Sequence, residues 1–239
     1  MESSLRKIDR FTVFLLLTYF SFAVKAELIE SKVNQHYVYE IFYKKISIGE
    51  MVLNYQQKGK ELSVNSRADL SFLYYSFGGS QQSKIYWDEQ HDQFLNRSFF
   101  QKSRGFGDSN IITTFDNDVY KTEVIANGVK TEYSNKIAPI VDFNAINLQI
   151  SKGLKDGKRD FEFYMQTDDD ISHYFFQMKG KEVINTKFGN IEAYRIEQIK
   201  KPDRSFIAWF APDWQHHVIK FHYKRKVLDI RGELIEHGY

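Results

Sequence analysis

Apolar and aromatic residues recur at every second position along most of this chain, and that period constrains the fold more than any other feature. A period of two lines up side chains on one face of a pleated strand. Tyr37, Tyr39, Ile41 and Tyr43 fall on one such face. Ile46, Ile48, Met51, Leu53 and Tyr55 continue that strand, with Gly49 at the phase change, where a bulge or tight turn fits. Leu62, Val64, Ala68, Leu70 and Phe72 alternate in the next. Composition agrees: 16% of residues are aromatic and only three are proline, which favours strands.

Further short runs are predicted at residues 84–88, 93–102, 110–115, 120–125 and 129–133. Turn-forming residues separate them: Gly78-Gly79, Asp88-Glu89, Gly105 to Gly107, Asn117-Asp118 and Asn127-Gly128. Asn-Gly between two alternating runs is the strongest short hairpin signal in the chain. The period changes once. From Asp142 to Leu154, Phe143, Ile146, Ile150 and Leu154 are spaced for one face of a helix, which Asp142 can cap and Gly153 or Gly157 can end. Strands resume at 161–165, 172–178, 181–185, 191–199, 205–210, 218–223 and 226–234. The predicted fold is mainly β: an antiparallel meander curling into a half-barrel or barrel, with one helix near 142–154. Residues 27–239 read as one β-rich domain, with 152–160 the one stretch suited to a seam.

The first 26 residues read differently. Arg6, Lys7 and Arg10 precede an apolar run from Phe11 to Val24, which ends at Ala26 before Glu27. A basic start, a short apolar core and small residues at the exit describe a secretory signal peptide. The run is shorter than the roughly 20 residues needed to span a bilayer, so no stable span is expected after cleavage; the alternative is a leader retained as a membrane anchor. There is no cysteine to carry a lipid or a disulfide, and the expected compartment is a bacterial periplasm. The leader holds four basic and two acidic residues of the chain's 33 and 31, which leaves 29 of each. A neutral mature chain gives no support for nucleic-acid binding.

Chemical motifs are sparse. No G-x-S-x-G, phosphate-binding loop or dinucleotide fingerprint occurs, and Asp168-Asp169-Asp170 lacks the spacing of a calcium loop and reads as a hairpin tip. His216-His217 with His222 is the densest imidazole group; on a continuous strand 216 and 222 share a face, which makes them weak metal candidates short of the three or four ligands zinc needs. No cofactor is expected, and no catalytic residue can be nominated. Rings at Tyr74-Tyr75, Tyr86-Trp87, Phe99-Phe100 and Trp209-Phe210 fall on both faces of their strands. A second apolar face suits either a ligand groove or a covering helix or loop. Tyr75, Trp87, Trp209 and Phe210 are the candidate ligand-lining residues.

From Lys181 onward the chain carries Thr186-Lys187-Phe188-Gly189, then Trp209-Phe210-Ala211-Pro212-Asp213, then Val218-Ile219-Lys220 and a closing Leu234. This tail resembles exported bacterial families of unknown function with the pattern T-x-x-G, W-F-x-P-D and V-x-K. It departs from them at His216-His217, where a proline often precedes the Val-Lys strand. The resemblance implies a periplasmic β-rich fold reminiscent of the lipoprotein-carrier half-barrels that hold acyl chains, and it brings no activity or catalytic residues. The expectation is a non-enzymatic binder of an apolar, lipid-like ligand or an envelope-maintenance factor. The alternatives are a module that pairs a sheet edge with an envelope protein, and a hydrolase with a carboxylate or histidine site.

Overall fold

The alternating segments fold as strands, nearly all of which pair with their neighbours in sequence. The structure is a computed structural model that describes residues 34–105 and 108–238. The expected leader lies outside the described residues. Eight strands form a first meander: β1 (Asn34–Tyr43), β2 (Ile46–Lys58), β3 (Glu61–Phe72), β4 (Tyr75–Asp88), β5 (Gln93–Arg104), β6 (Ser109–Phe115), β7 (Lys121–Ala126) and β8 (Val129–Ser134). A two-residue strand β9 (Ile140–Val141) leads into the helix α1 (Phe143–Lys155). The second meander is β10 (Asp160–Gln166), β11 (Ile171–Thr186), β12 (Gly189–Ile199), β13 (Arg204–Ala211), β14 (His217–Arg225) and β15 (Leu228–Gly238). A 3-10 turn at Pro212–Trp214 separates β13 from β14.

The two meanders join because β1 pairs antiparallel with β15. The result is a 15-stranded sheet in the order β8-β7-β6-β5-β4-β3-β2-β1-β15-β14-β13-β12-β11-β10-β9, antiparallel except where β9 meets β10. A twisted sheet this wide curls on itself. Val64, Ile85 and Leu95 of the first meander share one buried cluster with Phe161, Phe176, Ile196 and Phe210 of the second, and Ile146, Ile150 and Leu154 of α1 belong to it too. The helix therefore occupies the concave side, and the sheet is a half-barrel wrapped round it. Its two ends approach without closing: Ile140 N–H donates to the Val119 carbonyl at 2.9 Å, and Thr122 Oγ1 to Gln166 Oε1 at 2.6 Å.

The predicted helix and meander are present, and three local expectations change. Ile46–Tyr55 does not extend the first strand: Lys44, at φ 56°, and Lys45 turn the chain back into a hairpin. Gly49 does mark a bulge, because Ile41 pairs with Gly49 but Phe42 with Ser47. Gly78-Gly79 is no turn. Both lie inside β4, where a Cβ would stand 2.2 Å from the Ala68 carbonyl and 2.4 Å from that of Lys102, and the turn falls at Leu73-Tyr74. Finally, residues 172–178 and 181–185 are one strand, β11, bulged at Gly180.

The helix is pinned by a buried polar knot. Asp142 caps it, accepting from Ala145 N–H at 2.8 Å, and its other oxygen accepts from Ser83 Oγ at 2.6 Å. Asp142 N–H donates to Asn96 Oδ1 at 2.9 Å, and Asn144 Nδ2 to Ser83 Oγ at 2.8 Å. Gln149 adds a carbonyl that accepts from Phe94 N–H on β5. Helix entry is thus tied to β4 and β5 by groups that have no water to fall back on.

Asp142→Ala should lower the unfolding free energy in urea by about 1–3 kcal/mol, through a lost cap and orphaned buried donors. Burial raises the pKa of Asp142 above its ordinary 3.8, against the bonds from Ser83, Ala145 and Asn96. A raised carboxyl stabilises the fold fully below its unfolded-state pKa and loses that contribution as pH rises through the folded-state value. Asp142→Asn should therefore gain on the wild type as pH climbs above about 4; a stability difference that does not change with pH would contradict this account.

Candidate functional site

Between α1 and the concave face of the sheet lies a cavity of about 320 Å³. The period-two pattern builds its wall. Tyr37 and Tyr39 of β1, Met51, Leu53 and Tyr55 of β2, and Leu62 of β3 present alternate side chains to it. Phe206 and Phe210 of β13 and Val218 and Phe221 of β14 close the far side. The helix contributes Asn144, Asn147, Leu148, Ser151 and Lys155, a stripe beside the buried face of Ile146, Ile150 and Leu154. Lys155 is the one lining residue with a fixed charge, and no carboxylate lines the cavity among the described residues.

One wall is a cluster of tyrosines around His217. Its imidazole stacks on Tyr37, with centroids 3.5 Å apart and planes at 11°, and Tyr55 meets both rings edge-on. Tyr39 Oη lies 2.6 Å from the Val218 carbonyl and 2.8 Å from His217 Nε2. A tyrosine hydroxyl has one proton, and the carbonyl can only accept. That proton goes to Val218, so His217 Nε2–H donates to Tyr39 Oη, and Nδ1 holds the ring's lone pair. Burial drives the His217 pKa down from 6.5 to about 3, and the charge of His237 adds to the effect. Burial likewise raises Tyr39 and Tyr55 well above the usual tyrosine value. The cluster is neutral at physiological pH.

The loop after the 3-10 turn closes one end. Gln215 and His216 both take left-handed backbone, at φ 55° and 58°, which is uncommon for residues other than glycine. Gln35 Nε2 donates to Gln215 Oε1 and Ser151 Oγ to the Gln215 carbonyl, each at 3.3 Å. His216 stacks on Tyr194, and its buried Nδ1 has no partner among the described residues.

The structure separates the residues singled out in the sequence. Phe210 is fully buried and lines the cavity. Trp209 donates Nε1–H to Glu182 Oε2 at 2.9 Å, beside the ion pair of Glu182 with Arg195. Trp87 packs edge-on against Phe94 with Lys152 over its ring. Tyr75 opens β4 beside an exposed turn. These three lie outside the cavity lining. His216 and His222 do not share a strand face: His216 sits in the left-handed loop, and His222 is on β14, its Nε2 2.7 Å from Asp229 Oδ1. The described residues hold no group of three or more His, Cys, Asp or Glu suited to a metal. Strand alternation places Tyr37 and Tyr55 on sheet faces and His217 falls in the histidine group, but nothing local marks them as cavity lining, because the contacts of Tyr37 and Tyr55 with His217 span 180 and 162 positions. The polar stripe of α1 did have a signal, the 144, 147, 151, 155 spacing next to the apolar face.

A family model described as a protein of unknown function, DUF3108, matches residues 38–234. In fold the chain is similar to the crystal structure of a beta-barrel-like protein of the domain of unknown function DUF1849 from Brucella abortus. That likeness has a TM-score of 0.59 at 10% identity and covers 87% of this chain and 98% of the other. No curated protein matches the sequence.

A histidine whose pKa is depressed by folding stabilises the native state fully above its unfolded-state pKa and loses that contribution as pH falls through the folded value. The wild type should therefore lose stability between about pH 6.5 and pH 3 relative to His217→Phe, which has no proton to exclude. Urea unfolding across that range checks it; parallel pH profiles for the two chains would show that His217 is not held neutral.

Proposed function

We propose, for a chain that belongs to the DUF3108 family of proteins of unknown function, that it binds an apolar, lipid-like ligand between α1 and the sheet and does no chemistry on it. The observation that carries this reading is the lining itself: aromatic and aliphatic side chains from both meanders facing amides, a serine and one lysine of the helix. Binding sites for small molecules share that make-up, and about 320 Å³ lies at the lower end of their usual range of roughly 300–1,000 Å³. A single acyl chain suits that volume better than a whole diacyl lipid. The histidine in the wall argues against catalysis, because Tyr39 and the stacked Tyr37 commit its ring to structure.

In this reading the protein works in the periplasm after losing residues 1–26, as the basic and apolar leader and the lack of cysteine suggest. Sequencing the N-terminus of protein recovered from a periplasmic extract should give Glu27 as the first residue. An intact leader on that protein would overturn the assignment.

Native mass spectrometry with organic extraction should find a co-purifying apolar molecule, and cis-parinaric acid should bind the stripped protein and be displaced by it. Leu53→Trp, which fills the cavity from the β2 wall, should weaken that binding at least about tenfold while the chain stays folded. A wild type with no co-purifying molecule and no affinity for the probe would end the ligand reading.

A further inference from the structure

Three hairpin turns stand side by side on one rim of the sheet, because β14, β15, β1, β2, β3 and β4 are consecutive in its order. Each is a two-residue turn: Lys226-Val227 between β14 and β15, Lys44-Lys45 between β1 and β2, and Leu73-Tyr74 between β3 and β4. They touch. Tyr43 Oη donates to the Val227 carbonyl, Lys44 N–H to the Asp229 carbonyl, and the rings of Tyr43 and Phe72 meet at 5.1 Å.

The side chains these turns display are not those of ordinary turns. Of the twelve large hydrophobic residues that are exposed among the described residues, six lie here: Ile46, Leu73, Tyr74, Tyr75, Val227 and Leu228. Leu73 and Val227 are each 78% exposed and Tyr74 is 99% exposed, so the concentration is on the tips themselves. Lysines are interleaved with them. Lys44, Lys45 and Lys226 have no carboxylate within 4 Å among the described residues, whereas Lys224 and Arg225 just behind are paired with Asp229 and Asp203.

The backbone adds an independent observation. The first residue of each turn has positive φ: Lys226 at 51°, Lys44 at 56° and Leu73 at 57°. That is where a two-residue hairpin ordinarily takes glycine or asparagine. The same chain does so between β7 and β8, with Asn127 at 50° and Gly128 at 85°. On the three neighbouring tips it holds lysine or leucine instead, as it does with Lys200 at 62° in the turn after β12, so that long side chains stay on display at a cost in backbone strain.

We propose that this rim docks on the surface of an anionic lipid bilayer. Leu73, Tyr74, Tyr75 and Val227 would enter the headgroup region, where tyrosine keeps its hydroxyl wet and its ring in apolar surroundings. Lys44, Lys45 and Lys226 would meet lipid phosphates, and their long stems let the charge stay at the surface while the apolar tips go deeper. A bilayer fits this mixture better than a protein groove, since the apolar residues sit on convex tips rather than on a flat or recessed face.

Sedimentation with vesicles tests the proposal, using the full chain as purified. It should pellet with vesicles of phosphatidylcholine mixed with phosphatidylglycerol, more weakly with phosphatidylcholine alone, and less at high salt. Lys44→Gln, Lys45→Gln and Lys226→Gln together should reduce affinity for the mixed vesicles roughly a hundredfold, about fivefold for each charge. Leu73→Gly with Tyr74→Ser should reduce it at least about tenfold, and because glycine relieves the positive φ this pair should unfold at or above the wild-type temperature. Neither set touches the cavity lining, so cis-parinaric acid binding should be unchanged. A wild type that stays in solution with the mixed vesicles at low salt overturns the proposal. So do variants that pellet like the wild type, and so does tip-dependent capture of a protein partner without vesicle binding.

Discussion

The pairing of β1 with β15 holds this architecture together. Each meander is assembled from hairpins between strands adjacent in sequence, and those contacts are local. The β1–β15 ladder is not: it matches His36 with Gly238 and Tyr43 with Ile230, near opposite ends of the described chain. Without it there would be two separate curved sheets, each with a long open edge at its centre. With it, the sheet is continuous from β8 to β9, and its curl brings Val64 and Ile85 into one cluster with Phe176 and Ile196. Closing so long a loop is entropically costly, and its contacts reward the chain only once both meanders exist.

That ladder also sets the position of the cavity. Tyr37 and Tyr39 on β1 reach His217 and Val218 on β14 because only β15 stands between the two strands. The helix then fills most of the concave space. Its apolar face lies on the cluster shared by both meanders, and its entry is fastened to Ser83 and Asn96 through Asp142. The space left between the polar stripe of the helix and the tyrosine wall is the cavity. The buried knot at Asp142 holds the helix in this position.

Strained backbone occurs at both candidate functional places. Gln215 and His216 hold left-handed conformations where the loop crosses the cavity, and Lys44, Leu73 and Lys226 do so on the rim. Left-handed non-glycine residues also occur at Asp92, Asn127 and Lys200, so the feature is shared with other turns of the chain. Glycine would relax the backbone at the loop and the tips but would remove the side chains displayed there. The two places are built from different residues, one lining the space under the helix and the other facing outward.

Much of this protein was legible in the amino-acid sequence, because strand alternation, helix spacing and turn chemistry act within a few residues. The strand-rich meander, the single helix, its Asp142 cap and the Asn127-Gly128 hairpin all rest on such local rules. One local expectation changed where a residue type serves two physical ends. Gly78-Gly79 looks like a turn, but glycine also permits close approach of neighbouring strands, and only the paired sheet decides between the two. Trp87 and Trp209 are as aromatic as Phe210, yet contacts with Phe94 and Lys152 on one side and with Glu182 on the other keep them out of the cavity lining. His217 carries no local sign of burial, since its partners Tyr37 and Tyr39 arrive through the β1–β15 ladder. The cavity and the shared rim were likewise decided by tertiary structure alone, because each is made by strands that become neighbours only when the two ends of the chain pair.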